Sequence, residues 1–222
     1  MQVEDYLQRD DRIVVPVGST EQHAYLSLGT DCILAERVSV EAAEPLGVPV
    51  LPVLPYGLTP RFVAYPGTVS LRIETFLSVL TEVLDSASGQ GFRRILIVNG
   101  HGGNTAAISG LAHWGAKHPE TRLQYHDWWQ SARVMEIVRS IDEEGSHASW
   151  MENFPWTRPP GVELPSEAKP ATETLVLDPV AFRETMGDGS FGGAYQHSDE
   201  EMLRVWQAGV EEVRELLENG WA

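Results

Sequence analysis

The sequence predicts an α/β fold, a single domain over residues 1–222 built on a mostly parallel sheet. Three observations carry this. Short β-branched or apolar runs alternate with segments of helical length and periodicity, the signature of βαβ units. Each run ends in a turn rich in Gly, Pro or Asn. The chain, with 222 residues of which 42% are hydrophobic and 22% charged, is long enough for one full core and short for two.

In chain order, Arg12 to Val17 reads as the first strand, closed by Gly18-Ser19-Thr20. Ile33 to Ala43 reads as a helix with Asp31 close to its start. Val48 to Leu54 is a second apolar run, closed by Pro55-Tyr56-Gly57. From Ile73 the apolar positions 73, 76, 77, 80, 83 and 84 follow a helical repeat. Arg93 to Val98 is a third strand, Thr105 to Lys117 a helix and Arg122 to His126 a fourth strand. Right-handed crossovers then fix most of the topology. Trp128 to Ile141 reads as a helix. The stretch from Gly145 to Ser166, with Trp150, Phe154, Trp156 and several prolines, reads as an ordered, loop-rich lid. Ser198 and Glu201 form a capping box for a last helix, whose apolar stripe is Met202, Trp206, Val210, Val213 and Leu217.

Charge and composition remove several classes of function. Thirty-two acidic residues against 16 basic give a net charge of −16, and no basic cluster exceeds Arg93-Arg94. A nucleic-acid binder needs a basic face to displace counterions, and an anionic membrane surface repels such a chain. No apolar run approaches the roughly 20 residues of a membrane span. The segment Met1 to Asp11 is polar and acidic, unlike a signal peptide. The single cysteine, Cys32, excludes an intrachain disulfide, and a cytoplasmic setting is the expectation.

Ligands of open parallel sheets bind beyond the carboxyl ends of the strands. There the first strand runs into Gly18-Ser19-Thr20-Glu21-Gln22-His23 with Asp31 behind, the third into Asn99-Gly100-His101-Gly102-Gly103-Asn104, and the fourth into His126-Asp127. Imidazole with carboxylate suits Zn, Mn or Fe(II), and a carboxylate can bridge two ions. Taken singly, each residue has an ordinary use: Glu21 exposed, His23 packed in the core, Asp31 capping a helix. Convergence on one edge favours metal. The Gly-rich turn lacks the ending of a P-loop and the spacing of a dinucleotide fingerprint, no nucleophile elbow is present, and Cys32 reads as a core residue.

Pro16-Val17-Gly18-Ser19-Thr20-Glu21-Gln22-His23, Leu28-Gly29-Thr30-Asp31, Tyr65-Pro66-Gly67-Thr68 and Gly91-Phe92-Arg93-Arg94-Ile95 through Asn104 resemble the creatininase family in order and spacing, over about residues 12 to 155. The resemblance implies a three-layer α/β/α sandwich, a homo-oligomer (a hexamer among its forms) and one or two divalent ions, Zn, Mn or Fe, that serve to cleave C–N bonds of small cyclic or linear amides. By motif, it implies Glu21 and His101 on one metal, His23 on the other, and Asp31 bridging. His147-Ala148 with Glu152 resembles the family's downstream H-A-x-x-x-E segment, which implies acid/base or orienting work for His147. Glu152 would hold the reactive water or complete the second metal site.

The departures are local. Creatinine-cleaving members carry Glu where this chain has Gly103, many relatives carry a second histidine where Ala24-Tyr25-Leu26 follows His23, and E-H often stands where this chain has Arg61-Phe62-Val63-Ala64. After the downstream histidine, Glu152-Asn153-Phe154 replaces E-T-S. These changes keep the metal residues and alter the pocket wall. The expected chemistry is attack by metal-activated water, with Glu152 taking a proton, His147 protonating the departing nitrogen, and Trp150 and Trp156 covering a small-molecule substrate. A lactone, cyclic ketone, formamide or peptide end on the same centre, or a non-catalytic small-molecule binder, are the competing readings.

Overall fold

The computed structural model describes residues 2–172 and 176–221. Among these, three parallel strands, β1 (Arg12–Val17), β2 (Arg94–Asn99) and β3 (Arg122–Asp127), lie in the order β1-β2-β3. Their register pairs Arg12 with Arg94 and Arg94 with Arg122, so all three strands end level, at Val17, Asn99 and Asp127.

Side chains alternate across a strand, and here both faces are buried. Val14, Leu96 and Val98 face one way, into a core with Leu34 and Val38 of α2 (Thr30–Ala43), Val134 and Val138 of α5 (Ala132–Ile141), and Met202, Val205 and Val213 of α7 (Asp199–Asn219). Ile13, Val15, Val17, Ile95 and Ile97 face the other, against Phe76, Leu80 and Leu84 of α3 (Ile73–Gln90) and Leu111 and Trp114 of α4 (Ile108–Lys117). Helices on both faces of a parallel sheet make the expected sandwich in one domain. The capping box at Ser198 and Glu201 is present, and the stripe of α7 is buried.

Three elements differ from their sequence reading. Val48 to Leu54 runs beside β1 through only two isolated bridges, at Val50 and Leu54. Pro49, Pro52 and Pro55 supply no N–H for a ladder, which explains the interruption. The helix expected over Thr105 to Lys117 begins as a 3-10 segment, Gly102–Ala107, before α4. The one expected from Trp128 starts instead at Ala132, capped by the Ser131 side chain, after a 3-10 turn at Trp128–Gln130.

The lid aromatics are also corrected. Trp150 and Phe154 are fully buried in the core, and Trp156 stacks on Phe154 at 5.4 Å and packs on Trp206 at 4.9 Å. Large apolar rings gain more from burial than from covering a wet cleft. Two helices had no counterpart in the sequence reading. α1 (Gln2–Leu7) buries Tyr6, and α6 (Pro179–Met186) is capped by Asp178 and packs Phe182 on Phe62 at 4.9 Å. Among the described residues, no helix is long and apolar enough to cross a membrane.

Candidate metal centre

The level strand ends converge because two asparagines tie them together. Asn99 Nδ2 donates to the His101 carbonyl (2.7 Å) and to Asp127 Oδ1 (2.6 Å), while Asn99 Oδ1 accepts from the His101 amide (3.2 Å) and Asn104 Nδ2 (3.0 Å). Asn104 also donates to the Gly18 carbonyl (3.1 Å) and accepts from the Leu58 amide (3.0 Å). The ends of β1, β2 and β3 and the chain at Leu58 are thereby joined through buried amides. A Cβ at Gly100 would run into the Asp31 carbonyl of α2, and one at Gly103 into the Leu58 carbonyl. Those glycines are the condition for close approach.

Glu21, His23 and Asp31 come from the end of β1 and the first turn of α2, and His101 from the end of β2. Asp31 does not cap its helix: the cap position is Gly29, without a side-chain bond. All four side chains are buried, Glu21 and Asp31 to 1% exposure, His23 to 0% and His101 to 7%. Asp31 faces two histidines at once, with Oδ1 3.0 Å from His23 Nε2 and Oδ2 3.0 Å from His101 Nδ1. Glu21 Oε1 lies 3.3 Å from His101 Nδ1 and 3.5 Å from His147 Nδ1, and Glu152 Oε2 lies 3.8 Å from His23 Nε2. Three sets of possible ligand atoms therefore lie within 4.8 Å: Glu21, Asp31 and His101; His23, Asp31 and Glu152; and Glu21, His23 and His147.

The outward nitrogen of each histidine faces a backbone carbonyl. His23 Nδ1 lies 3.0 Å from the Glu21 oxygen, His101 Nε2 3.1 Å from Leu58, and His147 Nε2 3.1 Å from Gln22. A carbonyl only accepts, so each of these nitrogens carries the proton and donates it. The inward nitrogens of neutral rings are then lone pairs aimed at carboxylates. His23 Nε2 and Asp31 Oδ2 have no hydrogen-bond partner although both are buried. Opposed lone pairs at 3.0 Å are the arrangement a cation relieves.

Without a cation the carboxylates draw a second proton onto two of the rings instead, which expresses the same demand for positive charge. Burial disfavours a charged His23, but Asp31, Glu152 and Glu21 outweigh it and raise its pKa to about 10. Burial likewise opposes the charge on His101, and Glu21 and Asp31 hold it well above the usual value. Burial would raise Glu21 and Asp31, yet the facing histidines keep both below the carboxylate range. His147 differs: burial and the neighbouring His23 lower its pKa. Its ring is held between Phe62 (4.9 Å), Phe191 (4.9 Å) and His23 (4.5 Å).

Glu152, from the 3-10 turn Trp150–Glu152, accepts from the Ala148 amide at 2.6 Å. Ala24 and Ala148, each directly after a histidine of the cluster, adopt φ of 48° and 55°. Left-handed backbone costs a non-glycine residue about 1 kcal/mol or more and marks sites whose surroundings over-determine them.

Two cavities reach the cluster. One, of about 470 Å³, touches Asp31, His147 and Glu152 and is walled by Trp128, Trp129 and Met151. The other, about 780 Å³, touches Glu21, Thr59, Phe62 and His101. Both fall in the range of small-molecule sites.

The sequence reading missed Thr59, whose hydroxyl donates to Glu21 Oε2, and the rings of Phe62 and Phe191 around His147. Their contacts cross 38, 85 and 44 positions, and no local pattern announces them. His126 and Asp127 belong to none of the three ligand sets: His126 Nε2 is buried without a partner, and Asp127 is taken by Asn99. Cys32 is buried, its thiol pushed up to about 12 by burial and the charge of Asp31, as suits a core residue. Arg61 lines the larger cavity, where its guanidinium lies over Phe182 at 5.2 Å.

Among known proteins, the chain is 40% identical over 104 residues to the mycofactocin precursor peptide peptidase of Mycolicibacterium smegmatis, covering 44% of this chain and 42% of that protein. It is 35% identical over 103 residues to the 3-dehydro-scyllo-inosose hydrolase of Thermotoga maritima, covering 46% and 33%. To the creatinine amidohydrolase of Pseudomonas putida it is 30% identical over 102 residues, covering 43% and 39%. The chain thus spans less than half the length of the curated relatives it matches. Its fold superposes on a solved creatinine amidohydrolase (creatininase) with a TM-score of 0.80 at 20% identity, covering 100% of this chain and 96% of the other. The Mn form of creatininase gives 0.79 at 21%, with 100% and 96% covered. The model of the creatininase family, described as creatinine amidohydrolase, matches residues 1–217, and the chain belongs to that family.

Proposed function

We propose that this chain is a metal-dependent hydrolase that cleaves a C–N bond of a small amide. The observation that carries the reading is the set of inward lone pairs: three histidines tied outward by carbonyls face Glu21, Asp31 and Glu152, with His23 Nε2 and Asp31 Oδ2 unpartnered in a buried site. Glu21, Asp31 and His101 would hold one divalent ion, and His23, Asp31 and Glu152 a second, with Asp31 common to both. Zn and Mn forms are known among the solved creatininases of the same fold, which supports those ions here. A bound cation of this kind supplies an acidified water and a polarised carbonyl.

This chain's residues do the rest. Glu152 lines the smaller cavity and accepts the proton that the attacking water loses. His147, kept neutral by burial, is not a resident acid; its Nδ1 lone pair receives that proton and passes it to the departing nitrogen. The water oxygen joins the carbonyl carbon, the C–N bond breaks, and an acid and an amine leave. Gly103 leaves no carboxylate on the His101 side, and its close approach to Leu58 leaves no room for one. That makes Glu152 the third ligand of the second set and argues for a substrate other than creatinine. The loop around His147 and Glu152 serves as the cavity wall, and assembly into a homo-oligomer belongs to the same reading.

Elemental analysis of the purified protein should find Zn, Mn or Fe near one or two equivalents, and an amide screen should show turnover abolished by chelator and restored by added Mn or Zn. A protein free of metal and indifferent to chelator is a binding protein instead. Turnover of lactones or cyclic ketones with no amide cleaved would keep the centre and replace the bond.

A further inference from the structure

The smaller cavity has one wall that amide cleavage leaves unused. Alongside Asp31, His147 and Glu152 it is lined by Trp129, Met135 and Arg139, and Arg139 is its only lysine or arginine. Arg139 stands in the last turn of α5 and is exposed. Among the described residues its guanidinium has no ion pair and no hydrogen bond. Five other arginines pair with carboxylates, Arg12 on Asp10, Arg37 on Glu41, Arg94 on Asp11, Arg133 on Glu215 and Arg158 on Asp199, while Arg61 and Arg72, which line the larger cavity, have no ion pair among the described residues. In a chain with 32 acidic residues against 16 basic, Arg139 places a cation, unpaired among the described residues, in the cavity that Asp31, His147 and Glu152 line.

We infer that the substrate is an amide that also carries a carboxylate, and that Arg139 binds this group while the reacting bond lies at His147 and Glu152. The inference rests on the hydrolase reading for the reacting bond, but not for the binding step. Asp31 and Glu152 are committed to the metal centre, and the guanidinium of Arg139 is a separate fixed positive charge on the wall of the same cavity. Its planar donors match a carboxylate in two parallel hydrogen bonds, a geometry an ammonium does not supply. The Trp129 and Met135 side chains beside it lower the local dielectric and strengthen the pairing. They also offer an apolar surface to whatever joins the carboxylate to the amide. A neutral amide offers Arg139 only an uncharged acceptor and so gains less.

The test uses the full chain with its metal content fixed by elemental analysis. A panel of N-benzoyl amino acids is compared with their carboxamides, which keep shape and lose charge, and binding is read by calorimetry. Wild type should bind the carboxylates about tenfold more tightly than the carboxamides, the worth of a charged hydrogen-bonded pair. Arg139→Gln should bring the two classes within about twofold and Arg139→Lys should recover part of the preference. Arg139 is exposed, so both variants should fold as wild type does, which circular dichroism checks. Equal binding of the two classes by wild type, no measurable carboxylate binding across the panel, or a preference unchanged in Arg139→Gln overturns the inference. If no amide is hydrolysed but the Arg139-dependent preference holds, the failure lies with the reaction and not with the anion site.

Discussion

The cluster has two sides that are built differently. On the strand side, Glu21, Asp31 and His101 are fixed by secondary structure, by the Asn99 and Asn104 clamp and by the Thr59 hydroxyl, and they are almost wholly buried. On the loop side, His147 and Glu152 hang from an irregular segment, and the Glu152 side chain is 21% exposed on the cavity. A rigid, dry set of donors suits holding a cation, because ligands kept in place lose little entropy on binding. A partly exposed carboxylate beside a neutral imidazole suits moving protons to and from a substrate. In the proposed reading the strand ends hold cations, while Glu152 on the loop both completes the second ligand set and moves a proton.

Breaking the strand side should have the largest effect. Asp31→Ala removes the carboxylate common to two ligand sets, and bound metal and turnover should disappear together in elemental analysis and assay. Full metal content in that variant would end the assignment of Asp31 as the bridge. On the loop side, Glu152→Gln should lower kcat by roughly 10²- to 10⁴-fold while the protein keeps metal at the Glu21 set. Loss of all metal from Glu152→Gln would erase the distinction between the two sides.

Smaller effects sharpen the comparison. Thr59→Val deletes the hydroxyl that orients Glu21 and should weaken metal binding by about 10- to 100-fold, with Thr59→Ser restoring it, as read by competition with a chelator. The smallest effect concerns His126, outside the centre. Burial lowers its pKa to about 4 from 6.5, so the unfolded chain binds more protons between those values and stability falls as pH drops from 6.5 to 4. Wild type should lose up to about 2 kcal/mol more than His126→Phe across that window in urea unfolding. Equal losses would show that His126 stays neutral at no cost.

Legibility followed the same division. Glu21, His23, Asp31 and His101 lie within a few residues of strand or helix ends that local patterning marks, so their convergence could be read from alternating strand and helix signals. Val48 to Leu54 misled because its apolar content is strand-like while its prolines withhold the N–H groups a ladder requires. Trp150 and Trp156 misled because exposure of an aromatic in a loop cannot be judged until α7 is in place to cover it. Thr59, Phe62, Phe191 and Arg139 carry no signal in their own neighbourhoods.

By itself the sequence determined the parallel α/β architecture, the strand ends that carry acids and imidazoles, and the residues carried over by resemblance to a family. These depend on periodicity and on short spacings, which the chain encodes locally. The tertiary structure decided which nitrogen of each histidine faces inward, that Gly103 has no room for a side chain, and that Arg139 lines the cavity of His147 and Glu152. Those are questions of distance between segments far apart in the chain, and only packing of the two cores against the sheet settles them.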